Sequence, residues 1–291
     1  MTSDARADAR ADLRACLRVF VGDAPADAAA ETLATGRGLA YGDGVFETMR
    51  ATGGTLPWWP AHRARLVAGV ARLGIAPPPD AVLDREVAAF AEAAGEAAIK
   101  LILTRGSGGR GYAPSADAAP VWLLQAAPLP PPMRAGGLVV RWCETRLALQ
   151  PALAGLKHCN RLEQVLARAE WRDPGIDEGL MRDADGRVVC ATAANLFVLR
   201  GGRWSTPAVD RCGVAGVCRA LLVERLDAEV TTLSVEDVGS ADALLLCNAL
   251  RGILPVARLD ARALAPHPAV AGARRLLAAA HPAFASPEDV P

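Results

Sequence analysis

The chain has 291 residues, 52% of them hydrophobic, and its 32 basic and 32 acidic residues cancel. This composition supports a hydrophobic core, and the lack of a basic excess argues against a nucleic-acid partner. No run of about 18 apolar residues is present, so we expect no membrane span and no membrane partner. The N-terminus lacks the apolar segment of a signal peptide, and residues 1–15 are predicted to be a flexible extension.

The seven cysteines are scattered, with neither a C-x-x-C motif nor histidines at the spacing of metal ligands. This distribution favours free thiols in a reducing compartment over disulfides or a zinc site. We therefore expect a cytoplasmic protein without a metal site. The four histidines have no neighbours that would form a catalytic triad, and each is interpreted as structural or exposed.

Residues 16–126 are predicted to form an N-terminal domain of mixed strands and helices. Alternation from Cys16 to Gly22 predicts a strand, and Gly53-Gly54 predicts a hairpin between two further strands. Helical spacing of apolar residues predicts a helix that contains Leu66, Val70 and Leu73. A second helix and two buried strands are expected at roughly 84–94, 97–106 and 119–128.

Residues 127–137 include three consecutive prolines and are predicted to be an extended linker between two domains. The C-terminal domain, residues 138–291, is expected to begin with a strand and to continue with a helix after Lys157. Turn residues in "DADG" predict a hairpin, and two glycines open a further helix in "GVAGVCR". Further strands are expected in "EGLMRD", "RVVCAT", "NLFVLR" and, as a pair with a bend, in "ADALLLCNALRGILPVARL".

Lys157 lies between a small Ala-Gly turn and a helical pattern, in an apolar segment. A partly buried lysine is rare because desolvation penalises its charge, and a Schiff-base lysine is a leading explanation. The glycines before Val217 fit a phosphate at a helix N-terminus, although glycines also serve tight turns. "GSGGRG" at 106–111 lacks the helix that a dinucleotide site requires. It is either a solvated loop or a loop whose arginines bind a carboxylate.

Several segments, in order over roughly residues 34–256, resemble the fold-type IV pyridoxal-phosphate enzymes. These include branched-chain and D-amino-acid aminotransferases and 4-amino-4-deoxychorismate lyase. The resemblance implies a two-domain α+β fold, with a smaller N-terminal α/β domain and a larger C-terminal domain with a mixed, barrel-like sheet. It also implies pyridoxal 5'-phosphate as cofactor, a small-molecule substrate and a homodimer. The matching segments are "RGLAYGDGVFETMR", "HRARL", "TRGSGGRGY", "LAGLKHCNRLEQVLAR", "AANLFV", "TPAVDRCGVAGVCR" and "CNALRGILPV".

Carried over by position, the resemblance assigns Lys157 as the catalytic lysine that binds the cofactor covalently. It assigns Arg65 to the cofactor phosphate, together with the backbone N–H groups of Val217 and Cys218. Asn248 lies near a further phosphate or substrate contact. Candidates for contacts with a dicarboxylate substrate are Arg50, Arg105, Arg110, Tyr41 and Tyr112.

Cys190 stands where the family has a glutamate, five residues before the asparagine of "AANLF", in contact with the pyridine nitrogen of the cofactor. A thiol, whose ordinary pKa lies far above that of a carboxyl group, is a weaker partner for a protonated ring than a carboxylate. Transamination needs a strong electron sink, whereas an aromatising elimination needs it less. This favours the lyase, which converts 4-amino-4-deoxychorismate to p-aminobenzoate and pyruvate. The alternatives are an aminotransferase for D- or branched-chain amino acids and a non-catalytic protein that binds the cofactor.

Overall fold

A computed structural model describes residues 17–26, 29–108, 111–134 and 136–285 of the chain. The chain divides into two compact units. The first unit runs to Pro130 and includes Lys157–Asn160, and the second comprises Pro131–Leu156 and Arg161–Pro291. The division lies inside the proline-rich segment that the sequence indicates as a linker. The inclusion of Lys157–Asn160 in the first unit is a feature that the sequence pattern does not predict.

The first unit contains a five-stranded antiparallel sheet in the order β2-β1-β5-β4-β3. Side chains alternate along β3, so that every second residue packs against two helices in a core that includes Leu66, Val70 and Phe90. The elements are β1 (Leu17–Val21), β2 (Ala24–Pro25), α1 (Ala29–Ala34), α2 (Arg37–Tyr41), β3 (Gly44–Ala51), α3 (Trp59–Leu73), α4 (Asp80–Ala94), β4 (Ala97–Thr104) and β5 (Val121–Ala127).

The strands predicted at β1, β4 and β5 and the helices predicted at α3 and α4 are confirmed, with α4 beginning four residues earlier than expected. The predicted hairpin at Gly53-Gly54 is wrong in one respect. The turn exists, but its second arm is reduced to an isolated bridge between Thr52 and Thr55. Pro57 follows and the chain enters α3 at Trp59, so no length remains for a strand, and β3 pairs with β4 instead.

The second unit contains nine strands, of which eight follow the order β11-β10-β9-β12-β13-β6-β7-β8, and β14 pairs with β13. The predicted hairpins β7–β8 and β12–β13 are confirmed. The elements are β6 (Leu138–Leu147), α5 (Leu162–Arg168), β7 (Glu178–Asp183), β8 (Val188–Ala191), β9 (Asn195–Arg200), β10 (Arg203–Pro207), α6 (Val217–Arg225), β11 (Glu229–Thr231), α7 (Val235–Gly239), β12 (Ala243–Asn248), β13 (Gly252–Leu259), β14 (Arg262–Ala263), α8 (Pro268–Ala280) and a 3₁₀ turn (Pro282–Phe284).

Strands β9 and β12 are neighbouring inner strands of this sheet and are almost continuously apolar and buried. Such runs are typical of strands that are covered on both faces. Because the two strands are antiparallel, Asn195 at the start of β9 lies opposite Cys247 near the end of β12. Asn195 and Asn248 therefore lie at the same end of these two strands. Within the described ranges, no helix is long and apolar enough to cross a membrane.

Candidate active site

Lys157 lies in the first unit, where its segment pairs with β3 through backbone hydrogen bonds and an antiparallel bridge between Val45 and His158. The carbonyl oxygen of Lys157 accepts a hydrogen bond of 2.9 Å from the Phe46 amide, and Cys159 donates to the Gly44 carbonyl. These bonds place the Lys157 ammonium 4.3 Å from the centroid of the Phe46 ring. Lys100 of β4 lies 5.1 Å from the same centroid, so both lysines of the chain are adjacent to one aromatic ring.

Arg65 projects from α3 toward a buried carboxylate on β3. Its Nε lies 2.8 Å from Oε1 of Glu47, and its Nη2 donates to Oε2 of the same residue. Nδ1 of His62 lies 2.6 Å from Oε2. Burial would raise the pKa of Glu47, but the hydrogen bonds from His62 and Arg65 outweigh it and hold that pKa below its ordinary value. Glu47 is therefore a charged carboxylate inside the first unit.

Arg105 is part of a second ion cluster in the first unit. Its guanidinium pairs with Asp43 at 2.8 Å and also donates to the backbone carbonyls of Leu73 and Gly74. Arg37 pairs with the same aspartate at 2.9 Å. Burial would raise the pKa of Asp43, but both arginines lower it below its ordinary value. Arg105 thus holds the loop geometry of this region, and its contact with a substrate carboxylate stays a prediction.

Tyr41 and Tyr112 are brought together, with ring centroids 5.4 Å apart, and the Arg37 guanidinium lies 4.8 Å from the Tyr41 ring. Tyr112 is largely exposed, so the pair forms an accessible aromatic surface. Arg50 donates from Nε to the Thr52 hydroxyl at 3.3 Å. Arg110 lies outside the described residues. The substrate contacts expected of these side chains stay predictions.

The second unit presents the N-terminus of α6. Two hydrogen bonds to Gly155 fix the segment that precedes this helix. The Gly155 N–H donates to the Gly213 carbonyl, and the Gly155 carbonyl accepts from the Ala215 amide, each at 3.0 Å. Nδ2 of Asn195 donates to the Val214 carbonyl at 2.9 Å. Among the residues that the structure describes, no side chain caps α6 at Gly216. The first N–H groups of a helix have no partner within the helix, so this terminus is suited to an anion.

Gly213 and Gly216 are each required by the local geometry. Gly213 has a φ of 85°, in the left-handed region that favours glycine. At Gly216 an added Cβ would lie 2.1 Å from the Asn195 Oδ1. Both glycines, which by themselves are weak sequence signals, therefore hold the entry to α6 at Val217 and Cys218.

Two buried cysteines of the second unit, Cys190 and Cys218, have raised pKa values. Cys190 on β8 lies in an apolar cluster with Cys143 and Cys212, and burial raises its pKa to about 12. A hydrogen bond with Cys247 and burial raise the pKa of the Cys218 thiol well above its ordinary value. Cys190 thus cannot supply the negative charge of a glutamate, and its contact with a cofactor ring stays a prediction.

Asn248 ends β12 and organises the turn that follows it. Its Oδ1 accepts hydrogen bonds from the amides of Leu250 and Arg251 at 3.1 and 2.9 Å, and its Nδ2 donates to the Ala193 carbonyl at 3.3 Å. These bonds fix the loop that precedes β9. The expected contact of Asn248 with phosphate or substrate stays a prediction.

Three polar residues that support these candidates were not identified from the sequence pattern. Glu47 is missed although it is a charged residue at a buried position of an alternating strand, which is the signal that could have identified it. Asn195 is buried beside the entry to α6. Glu178 accepts hydrogen bonds from the Thr192 hydroxyl and from the amides of Thr192 and Ala193, although burial raises its pKa.

Known proteins resemble the chain over most of its length. A model of the amino-transferase class IV family matches residues 44–259. The aminodeoxychorismate lyase of Vibrio harveyi is 38% identical over 237 residues, which cover 77% of this chain and 86% of that protein. A putative branched-chain-amino-acid aminotransferase of Methanocaldococcus jannaschii is 29% identical over 236 residues, covering 78% and 82%.

The crystal structure of 4-amino-4-deoxychorismate lyase from Pseudomonas aeruginosa is similar with a TM-score of 0.83 and 43% identity. The match covers 90% of this chain and 98% of that one. The similarity confirms the fold-type IV fold that the resemblance predicts. With the family model matched from the start of β3 to the end of β13, the chain belongs to the amino-transferase class IV family.

Proposed function

We propose that the chain is a pyridoxal-phosphate-dependent lyase that converts 4-amino-4-deoxychorismate to p-aminobenzoate and pyruvate. The observation that carries the proposal is that the lyases share a higher sequence identity with this chain than the aminotransferase does. The two lyases are 38% and 43% identical to this chain, whereas the aminotransferase with nearly equal coverage is 29% identical. The reaction is a step toward folate, as the sequence resemblance implies.

The residues present fit pyridoxal phosphate by the chemistry of their donor groups. Lys157 carries the primary amine that an aldehyde requires, at the side of an aromatic ring. The guanidinium of Arg65 is suited to a phosphate dianion. Independently, so are the backbone N–H groups at Val217 and Cys218, where no side chain among the described residues caps α6. When bound, the cofactor supplies an electron-withdrawing ring that stabilises negative charge next to the substrate amine.

The residues of this chain then have separate tasks in the reaction. The Nζ of Lys157, once neutral, accepts the proton from the amine-bearing ring carbon of the substrate, as a general base. Arg50, Arg105 and Arg110 are proposed to bind the substrate carboxylates, so that the C–H bond points at the lysine. Such positioning can contribute several kcal/mol to the rate. The C–O bond to enolpyruvate breaks as the ring becomes aromatic.

Cys190 fits this elimination better than a transamination. Burial raises the pKa of the thiol to about 12, so the side chain is neutral and cannot keep a ring nitrogen protonated as a carboxylate does. Elimination depends less on that protonation because the departing enolpyruvate takes the electron pair. Cys190 is therefore proposed to bias the chain toward lyase chemistry.

An aminotransferase that acts on D- or branched-chain amino acids is the second candidate. It is supported by the Methanocaldococcus jannaschii relative, which matches 78% of this chain.

The homodimer is a further proposal. It fits α5, which exposes Leu162, Val165 and Leu166 to solvent, because apolar patches of this kind mark interfaces. The expected cytoplasmic location stays a prediction.

The experiment is the conversion of purified aminodeoxychorismate by the full chain with added pyridoxal phosphate. We expect p-aminobenzoate, followed by fluorescence, and pyruvate, followed by coupled reduction, in equal amounts. In a parallel reaction, 2-oxoglutarate and branched-chain or D-amino acids test for amino transfer. Amino transfer without p-aminobenzoate would favour the second candidate. A lack of both activities would contradict the proposal of an enzyme.

A further inference from the structure

Glu47 is the one carboxylate among the buried positions of β3. The inward-facing residues of this strand are otherwise apolar, with Val45, Met49 and Ala51 in the core of the first unit. Glu47 is 1% exposed. Burying a carboxylate is costly unless charged and hydrogen-bonding partners compensate for the lost water. Its presence at this position therefore requires a reason within its surroundings.

Both oxygens of Glu47 are bound by side chains from one face of α3. His62 and Arg65 are three residues apart, which places them on the same side of a helix. Arg65 binds both oxygens through Nε and Nη2, the planar two-point geometry that arginine makes with a carboxylate. His62 binds Oε2 at 2.6 Å. The guanidinium plane is thereby fixed from one edge.

The charges in this cluster balance without His62. Burial lowers the pKa of His62 below its ordinary value, which keeps the imidazole neutral, so that its Nδ1–H donates to Glu47. The single negative charge of Glu47 is then matched by Arg65. Exposure increases along the cluster: the Glu47 and His62 side chains are 1% and 2% exposed, and the Arg65 side chain is 15% exposed. The cation is the member of the cluster that reaches the surface.

We infer that Glu47 is a positioning residue that orients the Arg65 guanidinium for the phosphate of the cofactor, with His62 holding the carboxylate in place. The inference rests on the proposed function, since Arg65 is assigned to the phosphate there. An ion pair that served stability alone would gain little over packed apolar side chains. A pair that leaves its cation at the surface in a fixed plane is suited to bind an anion.

The test compares pyridoxal phosphate with pyridoxal, which lacks the phosphate, in titrations of the cofactor-free full chain. Glu47→Gln keeps the shape of the side chain and removes its charge. We expect it to weaken pyridoxal phosphate binding about ten-fold, with little change for pyridoxal. Glu86→Gln is the matched control, because Glu86 forms surface ion pairs with Arg18 and Arg85 in the same unit. It should change neither affinity.

A double variant separates positioning from a structural role. If Glu47 acts through Arg65, then Glu47→Gln combined with Arg65→Lys should cost little more affinity than Arg65→Lys alone. Equal weakening of both ligands, or unchanged binding of pyridoxal phosphate by Glu47→Gln, overturns the inference. Should Glu47→Gln fail to fold, His62→Gln replaces it, and unchanged phosphate selectivity in that variant overturns the inference as well. A wild-type chain that binds no pyridoxal phosphate would instead contradict the proposed function.

Discussion

The candidate residues of the two units differ in kind. In the first unit they are charged side chains, with Lys157 beside an aromatic ring and Arg65 bound to the buried Glu47. In the second unit they are backbone N–H groups at α6, side-chain amides, and thiols that burial keeps protonated. The first unit therefore offers reactive and ionic groups, whereas the second offers a neutral, geometrically fixed frame, namely the glycines and amides around the start of α6.

The largest expected effect tests the reactive group of the first unit. Lys157→Ala removes the proposed anchor and general base, and we expect p-aminobenzoate formation to fall by about 10³-fold or more. Lys100→Ala is the matched control, because Lys100 lies near the same Phe46 ring. It should retain most of the activity. The reverse pattern, with Lys100 essential and Lys157 dispensable, would show that the assignment is wrong.

The second prediction concerns Arg65, the cation of the first unit that is assigned to the cofactor phosphate. Arg65→Ala removes a charge-assisted partner of a phosphate dianion, so the Kd for pyridoxal phosphate should rise by about one to two orders of magnitude. Arg63→Ala provides the control, since Arg63 lies on the same helix but pairs with Asp84 at 2.6 Å. Absorbance titration measures both variants. A loss of affinity in Arg63→Ala alone would transfer the role to that residue.

The fixed frame of the second unit is tested at Gly216. In Gly216→Ala the new Cβ would lie 2.1 Å from the Asn195 Oδ1, so the side chain must move and its bond to Val214 is strained. We expect a loss of about 1–3 kcal/mol in unfolding free energy and a several-fold weaker affinity for pyridoxal phosphate. Gly239→Ala, where a Cβ meets nothing within 4 Å, should lower neither quantity. Equal unfolding free energies and equal cofactor affinities of the two variants would contradict the role of Gly216 at the start of α6.

The last effect, which is absent at neutral pH, concerns the protonated thiols. Burial raises the pKa of Cys190 to about 12 from an ordinary value near 9.0. Above pH 9 the unfolded chain loses a thiol proton that the folded chain keeps, so this contribution to stability is complete below pH 9 and declines toward pH 12. One thiol contributes at most about 1.4 kcal/mol per pH unit. Cys190→Ser should show a shallower decline in urea unfolding, and an unchanged decline would place the thiol in contact with water.

Local sequence patterns predicted the parts of the fold that depend on near neighbours. Alternation identified β1, the pattern of a buried strand identified β4 and β5, and helical spacing identified α3. The residues around the site depend on contacts between distant parts of the chain. Glu47 meets His62 15 positions away, and the bridge between Val45 and His158 joins two residues of the first unit that are far apart in the chain.

Only those residues of the candidate site that lie in recognisable sequence motifs could be predicted. Lys157 and Arg65 were assigned because their segments resemble a known family. The glycines before Val217 indicated the start of α6, but the reason for each glycine could not be predicted, because a glycine can serve a turn or a close approach equally well. Only the position of Asn195 against Gly216 distinguishes the two.

The most direct test of the account is to identify the lysine that binds the cofactor. The full chain is incubated with pyridoxal phosphate, reduced with borohydride, digested with protease and mapped by mass spectrometry. Lys100 and Lys157 are the two lysines of the chain, and both lie within about 5 Å of the Phe46 ring centroid, so each has access to the same surroundings. We expect the reduced cofactor to be attached to Lys157. Attachment to Lys100, or no attachment at all, would contradict it.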